Sequence, residues 1–423
     1  MNDQAIKIKS RNFIDEFNVR KPNEKLLSAD RDLESLMAMR DRRTAKYGIT
    51  IKEQFAAPTG QHKWGMPTAI TYNDRRYVVS HEDIPMSHKI FFEKNGRQIF
   101  THESHRVDVV ADVIDVMDPS KLPAEAYICP NCATIASAEM LASTGCPSCG
   151  TRFSIPQLYP KVSHFSYTEV ESEKKKSVFK KSCIPAIITF LVFFLFMHAT
   201  KKTSSVATMI ILPLFFALVA FGISSYINLF RVALSDAKQL NNRASTRNMS
   251  NYSKQVFERT MATYGPIFNF QYFSSRVYNL LGAMIYAEDK KECPFYSGPD
   301  FVGDFDTIID YVPIGMDILS YDIDENGICT IGAKVIADTY SFVNDSILHR
   351  KAEFILKASK NMNYPIDINF SAHTYKCVGC AGSYDVTKET NCPYCGRPHD
   401  VLDEEWYIDG AVKGTFKKYG WRS

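Results

Sequence analysis

The sequence predicts an α+β, multidomain membrane protein, and three observations carry that prediction. Residues 182–200 and 203–230 hold no Asp, Glu, Lys or Arg. Eight of the eleven cysteines fall into two sets of paired spacing. After residue 251 a helical period gives way to strand alternation. Together these divide the chain into an N-terminal cytosolic region (1–125), a first four-cysteine ribbon (126–155), a basic linker (156–182), two transmembrane helices (183–230), a polar linker (231–250), an α+β domain (251–412) with a second ribbon inserted at 374–400, and a tail (413–423).

A bilayer core of about 30 Å needs ~20 mainly apolar residues at 1.5 Å rise each, so each uncharged run is long enough to cross. In the first, Ile187, Phe190, Leu191, Val192, Phe193, Phe194, Leu195 and Phe196 point in every helical direction, which leaves no face for water. A hairpin buried in a large soluble core is the competing reading, but buried core helices usually carry shorter apolar runs. Two crossings put both chain ends on one side. Lys174, Lys175, Lys176, Lys180 and Lys181 precede the first run, and Arg231, Lys238, Arg243 and Arg247 follow the second, against Lys201 and Lys202 in the loop. The positive-inside rule then places both termini in the cytosol. The same lysines are positioned to meet anionic lipid headgroups.

With 423 residues and 45% hydrophobic content, there is material for two cytosolic folded units flanking the hairpin. A formal net charge of +3 is too small to imply nucleic acid. The first 20 residues are charged and lack the apolar core of a cleavable signal.

The first 60 residues read as an exposed arm with one charged helix at 29–47, capped by Ser28, stopped at Gly48, and striped by Leu33, Leu36 and Met37. Short strands follow from 63 to 101. Asn95-Gly96 between two apolar runs is a strong hairpin signal. Residues 106–117 fit a helix through Val110, Val113, Ile114 and Met117, with Asp108, Asp112 and Asp115 on the other face; their β-branched content argues the opposite. The helix is the reading adopted. Within this region His81, Glu82, Asp83, His88, His102, Glu103 and His105 lie close in sequence, a set that suits a metal or acid/base site or, equally, polar loops bordering a sheet.

Cys129-Pro-Asn-Cys132 is followed after thirteen residues by Cys146-Pro-Ser-Cys149-Gly150, and Cys377-Val-Gly-Cys380 after eleven by Cys392-Pro-Tyr-Cys395-Gly396. Four thiolates in two Cys-x-x-Cys knuckles give closed tetrahedral sulfur coordination, so two structural zinc ions are expected. Iron in rubredoxin-like sites uses similar spacing, and disulfides are disfavoured in a reducing cytosol. Lys121, Arg152 and Lys161 against Glu125 and Glu139, and Lys376, Lys388 and Arg397 against Asp385, Glu389 and Asp400, give neither ribbon a phosphate-binding footprint.

Beyond the polar tether at 231–250, residues 256–264 and 271–287 read as helices, the second through Phe273, Val277, Leu280, Leu281 and Met284. Val312, Ile314, Met316 and Ile318 then alternate, as do Cys329, Ile331, Ala333, Val335 and Ala337, and again Ala352, Phe354, Leu356 and Ala358, with turns at Glu325-Asn326-Gly327 and Asn344-Asp345. Helices followed by long hairpins predict a curved antiparallel sheet wrapped on a helix.

This order of elements resembles the domain of the inner-membrane translocase subunit-44-like family, the mitochondrial import-motor scaffold, its large-ribosomal-subunit relatives, and bacterial membrane proteins that pair the domain with zinc ribbons. The resemblance covers about residues 251–412, closed by Glu405-Trp406-Tyr407-Ile408, and extends to Tyr127-Ile128-Cys129-Pro130-Asn131-Cys132 with Gly150-Thr151-Arg152-Phe153. It implies a cone-shaped, nuclear-transport-factor-like fold, attachment to a bacterial cell membrane, and binding of a protein, peptide or lipid partner. The second ribbon departs from that pattern. In such a cone, Phe273, Val277, Ile331, Val335, Phe354 and Leu356 would line a ligand pocket, with plain core packing the alternative for each. Gly-x-Gly-x-x-Gly, P-loop and Gly-x-Ser-x-Gly motifs are absent. A membrane-anchored scaffold or binding protein is therefore the expected function, and an enzyme using the cone pocket or the His81–His105 stretch is the alternative.

Overall fold

The computed structural model describes residues 3–57, 70–73, 77–116, 126–153 without 130 and 133, 161–169, 174–200, 210–227, 256–263 without 262, 270–363 without 302 and 304, 374–398 without 378, 381–382, 387–388 and 390, and 405–417. The predicted linker at 231–250, Lys201 and Lys202, and the last part of the tail lie outside these residues.

Where an exposed arm is expected, the chain builds core. Helix α1 (Asp3–Val19) buries Phe13, Ile14 and Phe17 on one face. Its Glu16 accepts from the Ser28 hydroxyl and backbone, so Ser28 closes a loop and does not cap the next helix. That helix, α2 (Arg31–Lys46), is capped by Asp30, whose carboxylate accepts from the Leu33 N–H at 2.8 Å. The predicted stripe of Leu33, Leu36 and Met37 is buried.

Strands β1 (Ile49–Ala56), β2 (Ile70–Asn73), β3 (Tyr77–Lys94) and β4 (Arg97–Val116) follow. β3 and β4 form the predicted hairpin. Asn95 and Gly96 turn it with φ of 52° and 77°, as a two-residue primed turn requires. The helix expected at 106–117 is instead the second half of β4. Val107, Val109, Ala111 and Val113 are all fully buried, which is period two, and the β-branched side chains take the pleated surface that suits them. The first ribbon then contributes β5 (Ala126–Ile128), β6 (Ile135–Ser137) and the short α3 (Ala138–Ser143). The stretch expected to be linker contains β7 (Lys161–Glu169), which pairs with β4 and completes an antiparallel sheet of order β1-β3-β4-β7, with β2 also on β3.

Helix α4 (Lys174–Thr200) contains the apolar stretch Cys183–Phe196, and α5 (Ile210–Ile227) is the helix among the described residues whose length and composition suffice to cross a bilayer. Most of its large apolar side chains are exposed, including Ile211, Leu214, Phe215 and Leu218.

Beyond them lie α6 (256–261) and α7 (Phe270–Tyr286), close to the predicted bounds. β8 (Ile308–Ile323), β9 (Ile328–Val343) and β10 (Ser346–Asn361) are long hairpin strands. The second ribbon holds β11 (Thr374–Lys376) and β12 (Ser383–Asp385), and β13 (Tyr407–Lys417) returns to pair with β10. The sheet order is β13-β10-β9-β8, antiparallel throughout. The ribbon is thus inserted before the last strand, as its sequence position indicates.

Residues 1–169 and 254–423 pack as one compact unit, and 170–253 form a second. The flanking regions expected to be two separate units share one core, in which Phe13, Phe17, Leu33 and Val109 join Phe273, Leu281, Val335 and Phe354. Helices α2 and α7 meet at Gly282, where an added Cβ would stand 3.0 Å from Leu36 Cδ1. A side chain there would push the two helices apart.

Candidate metal centres

Each knuckle is shaped by backbone before any metal is considered. In the first ribbon the Cys129 N–H donates to Thr134 O at 2.8 Å, Cys146 N–H to Thr151 O at 2.9 Å, and Gly150 N–H back to Cys146 O at 2.8 Å. The second repeats the pattern, with Cys392 N–H on Arg397 O and Gly396 N–H on Cys392 O, both at 2.8 Å. Gly150 and Gly396 take φ of 69° and 74°, the left-handed conformation that ends each knuckle.

This folding brings all four sulfurs of each set within 4.8 Å of one another. Cys129 and Cys149 Sγ are 3.7 Å apart, and Cys132 and Cys146 Sγ 3.5 Å. In the second set Cys377 and Cys395 Sγ are 3.5 Å apart, as are Cys380 and Cys392 Sγ. A tetrahedral ion with metal–sulfur bonds of about 2.3 Å has sulfur edges of about 3.8 Å, whereas a disulfide needs ~2.05 Å. The spacing fits a tetrahedral metal and excludes disulfides in this arrangement. Thiolate character is already favoured at Cys149, which the Thr151 hydroxyl and backbone bring down to about 5. A tetrahedral ion bound by four protein ligands would have no coordination position left for substrate. Among the described residues these are the two groups whose ligand atoms converge this closely.

The histidine-rich stretch does not converge on one point. His81 faces Asp112 across the β3–β4 ladder with Nδ1 at 2.6 Å from Oδ1. Burial would lower its pKa, but hydrogen bonds to Asp112 and Asp83 outweigh burial and raise it to about 9. His88 is buried against Glu53, 3.5 Å away, and stacks on Phe55. His102 pairs with Glu169 at 3.3 Å. Glu82 is buried, while Asp83, Glu103 and His105 lie toward the solvent side of the ladder.

The six residues predicted to line a pocket are closed core. Phe273, Val277, Ile331, Val335, Phe354 and Leu356 are all buried, Phe273 edge-on to Trp406 with ring centroids 4.7 Å apart. Phe354 packs against Phe305 and Tyr311, and α1, α2 and β4 side chains belong to the same apolar cluster.

A charged cluster lies instead where the two chain segments meet. Arg40 of α2 contacts Glu53 of β1 at 2.8 Å and Asp310 of β8 at 2.9 Å, all three buried. Tyr167 donates to Glu53 at 3.3 Å and Tyr286 to Asp310 at 3.3 Å. Burial pushes Glu53 up, but the Arg40 charge and His88 bring it down to about 2. Burial holds Asp310 up at about 6, because Arg40 only partly offsets it and Glu53 pushes the same way. A surface cleft of about 270 Å³ lined by Asn18, Arg20, Lys21, Lys52 and Gln54 reaches Arg40 and Glu53, and an inner cavity of about 40 Å³ lies behind them. That inner space is enough for one or a few waters. No sequence motif announces this cluster: Arg40 and Asp310 are 270 positions apart. No family model, no curated protein and no solved structure matches the chain.

Proposed function

We propose that this chain is a membrane-anchored zinc-ribbon scaffold, held by two spans within 183–230 with both termini cytosolic, whose main unit offers a surface to a protein, peptide or lipid partner. The exposure of α5 carries this reading: an 18-residue apolar helix with its side chains uncovered needs a hydrocarbon surrounding. Helix α4 supplies the second crossing, its apolar stretch Cys183–Phe196 extended by Ala199 and Thr200. Zinc is the ion assigned to both cysteine sets, since four thiolates in closed knuckles suit it best. On this reading the four-stranded sheet and α7 would correspond to the cone-shaped import-motor-scaffold domain.

The scaffold reading is favoured over an enzyme because the closed sulfur sites leave no open ligand position and the histidines of 81–105 are engaged at separate points of the sheet. Impermeant maleimide applied to intact cells tests the topology. Thr203→Cys is expected to react and Ser250→Cys to stay protected. Labelling of Ser250→Cys alone inverts the orientation, and a chain recovered with the soluble fraction refutes the anchor.

A further inference from the structure

Strand β1 stands at the end of its sheet, and its pairing with β3 runs in unbroken register from Ile49 to Ala56. Asn18 reveals which of its backbone groups face outward. The Asn18 carboxamide donates to Phe55 O at 2.8 Å and accepts from the Phe55 N–H at 2.7 Å. The Phe55 N–H is therefore turned away from β3. By the two-residue alternation of an antiparallel ladder, the N–H and C=O of Glu53 and Ile51 point to the same outer side. Among the described residues these groups have no hydrogen-bond partner. The Asn18 side chain does at one residue what a neighbouring strand would do along the edge.

Other sheet edges are closed or broken. Val162 of β7 exchanges backbone bonds with Ser28 and Asp30, and Ile408 of β13 does so with Phe295 and Ser297. Strand β8 changes register against β9 three times, which interrupts a regular edge. Along β1 the outer side is instead the cleft of about 270 Å³, with residues 50–54 as one wall and residues 17–22 as another. Its cations Arg20, Lys21, Arg40 and Lys52 outnumber its anions Asp41 and Glu53. Arg20 is paired with Asp41, and Arg40 with Glu53 and Asp310. Lys21 has no ion pair among the described residues, and Lys52 meets only Glu93, in an exposed pair of the kind that holds little energy. The cleft thus combines unpaired strand backbone with spare positive charge.

We infer that β1 accepts an acidic, extended segment of a partner protein as an added strand, which takes the N–H and C=O groups of Ile51 and Glu53 and sets its carboxylates against Lys52 and Lys21. Main-chain bonds give such a contact its affinity, and the lysines select for charge. Asn18 marks one end of the added strand, because Phe55 is already taken. This inference rests on the scaffold reading above and narrows its partner to a peptide.

The full chain in detergent is titrated with the fluorescent peptide Glu-Val-Glu-Val-Glu-Val-Glu, read by anisotropy. Binding is expected, and a peptide with Lys in place of Glu should bind at least about tenfold more weakly. N-methylation of the valines or of the inner glutamates, in two separate peptides, should abolish binding in one and spare it in the other, since only alternate N–H groups of a strand face its neighbour. Ile51→Pro deletes an N–H that β3 does not use, so it should weaken binding about tenfold or more with the thermal midpoint retained. Lys52→Glu should weaken it about tenfold and, with the methylated pair, decides the matter if Ile51→Pro unfolds. No binding of the Glu peptide, equal binding of the Lys peptide, or equal behaviour of the two methylated peptides overturns the added strand. So does a dimer that Ile51→Pro dissociates, which would give the edge to a second copy of the chain. Alkaline extraction reads the anchor separately: a failed titration of a chain that stays in the membrane pellet strikes this site and leaves the scaffold reading standing.

Discussion

The two ribbons share paired Cys-x-x-Cys knuckles, sulfur pairs 3.5–3.7 Å apart and a terminal left-handed glycine, yet they rest on different ground. In the first, Cys129 and Cys146 are buried with Ala136, Leu141, Val79 and Ile114, and Tyr272 of α7 packs alongside. Val79 and Ile114 face each other directly across β3 and β4, so the first ribbon is seated on the main sheet. In the second, Cys377 and Cys392 cluster with Tyr384 and Val386, all from the ribbon itself. Identical ligand chemistry thus serves two purposes. The first centre is part of the body's packing, and the second shapes a self-contained projection carrying Tyr394, which is 69% exposed.

The largest test of that contrast is to remove one ligand from each. Cys146→Ser is expected to release one ion and lower the main unit's unfolding midpoint by more than ~5 °C, because metal binding energy is coupled to folding. Cys392→Ser should release one ion as well, while the main midpoint moves by no more than ~1 °C. Elemental analysis with a thermal scan reads both; equal shifts would erase the distinction.

Packing gives the next effect. Leu141 is fully buried under the first ribbon, so Leu141→Ala should destabilise the main unit by ~2–5 kcal/mol, while Val386→Ala should loosen only the second ribbon. Phe273→Ala should cost ~3–5 kcal/mol in denaturant unfolding, the behaviour of core. Wild-type stability in Phe273→Ala would restore a pocket there.

A pH titration separates the ribbons more gently. The His81–Asp112 pair lies two residues along each strand from Val79 and Ile114, under the first ribbon. Its folded pKa of about 9 exceeds the ordinary histidine value, so its contribution is complete below about pH 6.5 and lost as pH rises through 9. The loss is at most about 3 kcal/mol, and His81→Asn should flatten that slope. Hydrogen exchange should show the first ribbon loosening over this window and the second unchanged. Smallest of all, Tyr394→Ala should change stability by less than about 0.5 kcal/mol, so any loss of partner binding in that variant is read as contact.

Local signals were legible where the chemistry is local. Asn95-Gly96 and Asn344-Asp345 turn the chain at the positions their left-handed preference dictates, α7 follows its apolar stripe, and cysteine spacing alone defines both metal sets. The rest depends on distant partners. Phe13, Ile14 and Phe17 sit among charges in sequence, and only the folded sheet, through β1, β4 and β7, gives them a surface to bury against. Strand 106–116 was ambiguous because Val and Ile satisfy both periods at once, and pairing with β3 and β7 decides it. The six candidate pocket residues are buried, with Phe273 against Trp406 and Phe354 against Phe305 and Tyr311, contacts between distant positions that no local pattern announces. Arg40, Glu53 and Asp310 carry no motif, because the set exists only after the two segments meet.

Membrane anchoring of a doubly metallated unit is tested most directly by alkaline carbonate extraction of cell membranes, with zinc counted per chain in the pellet. The unsubstituted chain should remain in the pellet with at least two ions per chain, and Leu214→Arg with Leu218→Arg, which places two charges on the exposed face of α5, should release it into the supernatant still metallated. Quantitative extraction of the unsubstituted chain, or a pellet without zinc, would contradict the proposal.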